Sequence, residues 1–203
     1  VVSVHTNNTG TMLSCSTPGS RVWYSTSSNP KRKTPYTLHI VETEGGLVGV
    51  DTSVPGKVIV GALAADELPG FPGFVLVRRE VTVVPGTRLD LELQGPEGRR
   101  VLMEVKNVTL ARDGQAFFPD AVTTRGTRHV RELGHLATRG WSTAVGLVVQ
   151  RQDVSRVYPA DDIDPEFGKA LRDARDAGVA ILAWGCEVTT EGVRIRRTLP
   201  VDL

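Results

Sequence analysis

Asp90, Glu104 and Lys106 are the residues whose types and spacing could do chemistry. Asp90 sits in the alternating run Arg88 to Leu93, and Glu104 and Lys106 in a second alternating run, Arg100 to Lys106, with the Gly/Pro-rich stretch Gln94 to Arg99 between them. Alternation on both sides of such a break predicts an antiparallel hairpin. With the turn centred near Pro96 and Glu97, Asp90 lies across from Glu104 and Arg88 across from Lys106, all four side chains on one face. Facing like charges cost energy unless something neutralises them. Hard oxygen ligands from two strands suit Mg2+, which binds one or two carboxylates and retains several waters. Lys106 shares the face of Glu104 and could position or polarise a water attacking phosphorus. A solvated polar face, with Arg88 and Lys106 as neutralising partners, fits the same pattern, and the residues alone leave both readings open.

The elements that must position these groups come from a chain of 203 residues, long enough for one large or two small domains. Hydrophobic content of 40% with 23% charged residues belongs to a folded protein rather than a disordered one. The net charge of +1 is no argument for nucleic-acid binding, so local clusters have to supply it. No apolar run approaches membrane-spanning length and Val1 to Gly10 lacks a secretion signal, so a cytoplasmic location without membrane attachment is expected. The absence of an initiator Met, and a start in what reads as a strand, suggest residues upstream of Val1. Cys15 and Cys186 form neither a metal pair nor a disulfide framework.

The first fifty residues read as short strands separated by polar turns, and a boundary is expected near residues 52 to 55, dividing a β-rich unit, 1–53, from the remainder, 54–203. A small barrel of this kind can bind single-stranded nucleic acid. Lys31, Arg32 and Lys33 in a basic turn are candidate phosphate contacts, with Trp23, Tyr24 and Tyr36 as stacking groups, although one of Trp23 and Tyr24 must face the core if they share a strand. Pro55 to Glu67 carries an imperfect helical stripe, and Phe74 to Val84 is a strand in which Glu80 is either a third acidic group or surface charge. Asp120 is expected to cap a helix over 121–139, the most basic helical segment of the chain. On it, Arg125, Arg128 and His129 could hold a phosphate or orient a carboxylate, with Glu132 keeping the imidazole in place; an exposed charge pattern is the alternative. Ala144 to Val149 and Val179 to Trp184 read as buried parallel strands around a helix capped by Asp164 and opened by Pro165, an α/β arrangement. Asp161, Asp162 and Asp164 lack the spacing of a calcium loop. The tail reads as a hairpin around Glu191 and Gly192.

Asp90 followed by Glu104-Val105-Lys106 resembles the PD-(D/E)XK nuclease pattern. The stretches "NTGTMLSCSTPGSRVWYSTSSNPKRKTPYT", "RREV", "RLD", "EVKNVTL", "FFPDAVTTRGTRHVREL" and "GVAILAW" resemble the sugar fermentation stimulation protein A family over essentially the whole chain. That resemblance implies an OB-like N-terminal barrel, incomplete here because its opening strands are absent, followed by a nuclease-like α/β domain with a mixed sheet. It marks Glu80, Asp90, Glu104 and Lys106 as a metal-centred site, and the stretch with Asp120, Arg125, His129 and Glu132 as a supporting surface. Asn107 stands where the family commonly has Ser. The family's association with DNA and with sugar, particularly maltose, metabolism makes a DNA-binding protein with a metal-binding, nuclease-like centre the leading expectation. In it Asp90, Glu104 and the carbonyl of Val105 hold Mg2+, for which Mn2+ could substitute. An active Mg2+-dependent deoxyribonuclease and a regulatory scaffold for a protein or metabolite are the alternatives. A homodimer is compatible with all three.

Overall fold

The computed structural model describes residues 1–203. Its centre is a six-stranded mixed sheet, built from a three-stranded antiparallel meander, two crossover strands and an antiparallel edge strand. The meander comprises β5 (Val75–Val84), β6 (Thr87–Gln94) and β7 (Arg100–Val108). Beyond β7 lie β10 (Ser142–Val149), β12 (Ala180–Val188) and β13 (Val193–Leu199), giving the order β13-β12-β10-β7-β6-β5. β10 runs parallel to both β7 and β12, and its central position explains its unbroken apolar sequence, since both faces and both edges are covered.

Each face of the sheet has its own core. On one, Leu102, Val145, Leu147 and Val149 pack against α2 (Thr124–Thr138) and α3 (Pro165–Asp176) through Val130, Leu133, Phe167 and Leu171. On the other, Leu91, Leu93, Val101, Met103, Ala144 and Val148 meet Ile59 and Leu63 of α1 (Val54–Ala64) and the fully buried Trp184. A Cβ on Gly146 would stand 2.7 Å from the Trp184 ring, so a side chain at that position would displace the indole. A small sheet, β11-β9-β8, flanks this unit, formed by β8 (Leu110–Arg112), β9 (Gln115–Phe118) and β11 (Val157–Pro159).

The N-terminal strands make a four-stranded OB-like sheet that is not closed into a barrel. β3 (Tyr36–Thr43) lies at its centre, parallel to β1 (Val4–His5) and antiparallel to β2 (Val22–Thr26) and β4 (Gly46–Gly49). Trp23 turns inward and packs at the margin of the α1-side core, while Tyr24 stays exposed with its ring 5.1 Å from that of Tyr36. Both cysteines are buried and unpaired. No helix is long and apolar enough to cross a membrane.

Two local expectations need correction. α2 begins at Thr124, with Thr123 as its cap accepting from the Gly126 N–H at 3.1 Å. Asp120 is not the cap: its carboxylate accepts from the Met12 N–H at 3.0 Å and its carbonyl from the Thr11 hydroxyl at 2.6 Å, pinning the N-terminal loop to the C-terminal unit. Gly10 is required there, because a Cβ would fall 2.2 Å from the Asp120 carboxylate. The other cap lies where the sequence places it: Asp164 accepts from the Phe167 N–H at 3.0 Å, with Pro165 opening α3.

Asp164 also accepts from the Thr123 N–H at 2.8 Å, so one buried carboxylate holds the starts of α2 and α3. Asp164→Ala should therefore lower stability by about 1–2 kcal/mol, seen as a lower urea midpoint at unchanged m value.

Candidate functional site

β6 and β7 pair through Leu91↔Met103, in the register expected from the turn, and the ladder goes no further towards Asp90. Instead, Asp90 Oδ2 accepts a hydrogen bond from the Val105 N–H at 2.7 Å. In β5, Arg79 and Val81 pair with Leu91 and Leu89, so Glu80 stands across from Asp90, and Glu80 has φ of +56°, a left-handed conformation that non-glycine residues seldom adopt. Leu89 and Leu91 would share a face in a regular strand. Here Leu89 packs with Val81 in the α2/α3 core, and Leu91 packs in the α1 core. The ribbon rotates between them, and Asp90 stands at the rotation.

β7 keeps its alternation, so Glu104 and Lys106 point to the same side as Leu102 and Val108, under α2. There Glu104 Oε1 accepts from Lys106 Nζ at 2.6 Å and from His129 Nδ1 at 2.7 Å. Glu104 and His129 side chains are only 4% and 3% exposed, and Glu104 Oε2 is buried with no hydrogen-bond partner. A buried carboxylate oxygen without a donor costs free energy, which makes it the strongest local indication of a ligand that is not part of the protein.

The electrostatics separate the two acids. Burial, and next the charge of Glu104, push the Asp90 carboxyl up to about 6. Burial acts on Glu104 in the same upward direction, but the His129 hydrogen bond and the Lys106 ammonium outweigh it and hold the carboxyl below its ordinary value. Two close carboxylates with opposite displacements are the arrangement expected of a pair that shares a proton or a cation.

Asp90, but not the buried Glu104, lines an open groove of about 710 Å³. Its floor includes Asp90, Val105, Lys106 and Asn107; its walls come from Asn8 to Gly10 and from Thr52 and Ser53 on one side, and from Asp120 to Thr123 on the other. The N-terminal wall is fixed by a hydrogen-bonded line that sequence reading did not reveal. His39 bridges Ser25 at 2.8 Å and Asp51 at 2.8 Å, and Asp51 in turn accepts from Asn7 Nδ2 at 2.6 Å and from the Ser53 N–H at 2.8 Å. His39 and Asp51 stand far from any motif in sequence, and only the fold of β3 and β4 joins them.

Other expected site residues fall elsewhere. Glu80 lines the groove, but its side chain is 66% exposed and its carboxylate pairs with Arg88 at 3.3 Å. Together with Asp90 and Glu104 it makes no group of three acids able to hold a metal. Arg88, expected opposite Lys106, is carried away by the same rotation of the ribbon. Glu132 does not orient His129: it lies 3.7 Å from His135, and Glu104 is the hydrogen-bond partner of His129 instead. His129 is too buried to contact a phosphate. Arg125 and Arg128 line a different cavity. Of the basic turn, Arg32 donates to Thr37 Oγ1 at 2.9 Å, Lys31 and Lys33 are exposed, and none of the three lines the groove.

The donors present are hard oxygens: Asp90, the free Glu104 oxygen and the Val105 carbonyl at the groove floor. Two carboxylates are enough for a cation that keeps much of its water, as Mg2+ does. Comparison with known proteins bears on the whole chain. The family described as "SfsA N-terminal OB domain" matches residues 1–50, and "Sugar fermentation stimulation protein RE domain" matches residues 53–192. The chain belongs to the sugar fermentation stimulation protein family. Family members include a homolog from Pseudomonas paraeruginosa, 46% identical over all of this chain and 87% of its own length. Another, from Rhodospirillum centenum, is 44% identical over 97% and 85%. A solved structure, described as "The structure of Pyrococcus Furiosus SfsA in complex with Ca2+", superposes with a TM-score of 0.88 at 28% identity, covering 97% of this chain and 84% of that one.

The raised Asp90 carboxyl has a measurable consequence in metal-free buffer. Unfolded, an Asp loses its proton near pH 4; folded, Asp90 holds its proton to about pH 6, so the folded state carries more protons between those values. Its contribution to stability therefore falls as pH rises from about 4 to about 6. Asp90→Asn removes that dependence, and should gain on the wild type by on the order of 2 kcal/mol between pH 4 and pH 7. Urea unfolding at the two pH values checks this; a constant difference contradicts it.

Proposed function

We propose that this protein binds DNA across the groove and holds a divalent cation, Mg2+ or Mn2+, at Asp90, Glu104 and the Val105 carbonyl, in a nuclease-like centre. The observation that carries this reading is the unpartnered, buried Oε2 of Glu104 close to a second carboxylate, Asp90, which with Lys106 lines a groove open to a polymer. The Pyrococcus furiosus relative is described in complex with Ca2+, which supports a cation here. The PD-(D/E)XK likeness of Asp90 and Glu104-Val105-Lys106 supports phosphodiester chemistry.

Bound at these oxygens, a divalent cation supplies Lewis-acid polarisation of a phosphodiester and acidification of water. The chain's own residues do the rest. His129 and Lys106 occupy one oxygen of Glu104 and fix its rotamer, leaving the other free, as second-layer donors do around ligating carboxylates. Lys106 Nζ, at the groove floor, can hold an attacking water by hydrogen bonding and stabilise charge gathering on phosphate oxygens. Ionised Asp90 completes the ligand charge, and a cation brings its carboxyl down from about 6. Regulation of sugar metabolism would follow from where such a protein binds DNA.

Single-stranded, duplex and branched DNA incubated with wild type and Glu104→Ala, with Mg2+ or with chelator, tests both halves. Cleavage that needs Mg2+ and falls at least about 100-fold in Glu104→Ala is the expected enzymatic outcome. Salt-sensitive binding without cleavage leaves a DNA-binding protein that keeps the cation site. Mg2+-dependent cleavage persisting in Glu104→Ala, or absence of DNA binding, overturns the assignment.

A further inference from the structure

A second cavity, of about 380 Å³, opens next to the groove and has no part in the metal-centred site. It is lined by Thr82, Gly86, Thr87, Arg88, Arg125 and Arg128, with no acidic and no hydrophobic residue among them. Two separate elements bring the arginines together. The tight β5–β6 turn, in which Gly86 has φ of +82°, contributes Arg88. The opening of α2 contributes Arg125 and Arg128, three residues apart and therefore on one flank of the helix.

Their partners are few. Arg128 donates to the Gly86 carbonyl at 3.1 Å, which ties α2 to the turn but leaves its charge unmatched. Arg88 pairs only with Glu80, at 3.3 Å, outside the cavity lining. The Arg125 side chain forms no hydrogen bond or ion pair. Three guanidinium groups around one concavity repel one another, and an anion with several acceptor oxygens is what offsets that repulsion. The planar fork of arginine matches phosphate better than it matches a spherical anion.

The cavity and the groove have no lining residue in common but adjoin at an ion pair. Glu80 lines the groove and grips Arg88 of the cavity; Thr123 closes the groove, and Arg125 lies two residues further along. A strand leaving the groove past Glu80 next meets Arg88, on the cavity side of that pair. We propose that this cavity is a phosphate subsite, which takes a phosphate of the same nucleic-acid strand that occupies the groove. The proposal rests on the nucleic-acid reading of the groove. The phosphate can be an internal one or the terminal phosphate of a strand end, and the two sources are separable by experiment.

Binding is measured by anisotropy with oligonucleotides labelled at the 3′ end, carrying either a 5′-phosphate or a 5′-hydroxyl, across a salt series. Arg125→Ala should weaken binding about 3- to 10-fold and reduce the slope of log K against log salt by about one. Its unfolding midpoint should not move, because Arg125 holds nothing in the fold. Arg125→Lys should keep the slope. A preference for the 5′-phosphate that Arg125→Ala abolishes assigns the cavity to a strand end, and equal binding of the two oligonucleotides with the slope change intact assigns it to an internal phosphate. Wild-type affinity and slope in Arg88→Ala/Arg125→Ala overturn the subsite while leaving DNA binding in place. If the wild type binds no oligonucleotide, pyrophosphate is the probe. Thermal stabilisation by pyrophosphate that is lost in the double variant keeps the phosphate subsite and rejects only the nucleic-acid reading; no stabilisation rejects the subsite as well.

Discussion

The structure turns on one buried carboxylate, that of Glu104. Its position on β7 places it under α2, where an uncompensated charge would cost several kcal/mol. His129 and Lys106 remove that cost at one oxygen only. What remains is a fixed, ionised carboxylate with one oxygen unpartnered, buried behind Asp90 and Lys106 of the groove. If α2 shifted along its axis, the imidazole would no longer reach the carboxylate, so the packing of Val130 and Leu133 against the sheet sets the geometry of the charge centre as well as stabilising the fold.

A second constraint is the rotation of the β5–β6 ribbon. Glu80, in its left-handed conformation, stands across from Asp90 where the pairing of β6 with β7 ends. This opens the space that Asp90 fills by bonding to the Val105 N–H, and swings Arg88 away towards α2. One local departure from strand geometry thus separates the acidic centre from the basic cavity. The two lie side by side without neutralising each other because Glu80 and Arg88, at their boundary, pair with one another. The N-terminal sheet acts at a distance: Asp120 and Asp51 anchor its loops, and those loops supply the far wall of the groove.

Much of this was legible in the residues. The Gly95-Pro96-Glu97-Gly98 turn and the alternation on either side specify the β6/β7 register, because a slip by one residue would send each strand's side chains to the opposite face. The apolar run of β10 and the Asp164-Pro165 signal are similarly local. The position of Glu80 was not legible, because a left-handed conformation at a glutamate carries no sequence signature and is sustained by the surrounding packing. Glu132 and Glu104 competed for His129, and helical spacing favoured the wrong partner. The line from Ser25 through His39 to Asp51 joins β2, β3 and the loop after β4, with no motif to announce it.

Sequence alone determined the element types, the hairpin register and the residue types available for chemistry, since these follow from periodicity, turn propensity and side-chain identity within short windows. Tertiary structure alone decided which carboxylate oxygen is satisfied and which is free, which arginines converge, and which face of α2 looks at the acids. Those outcomes depend on packing between segments remote in the chain, where a rotation of one strand or a half-turn of one helix exchanges every partner.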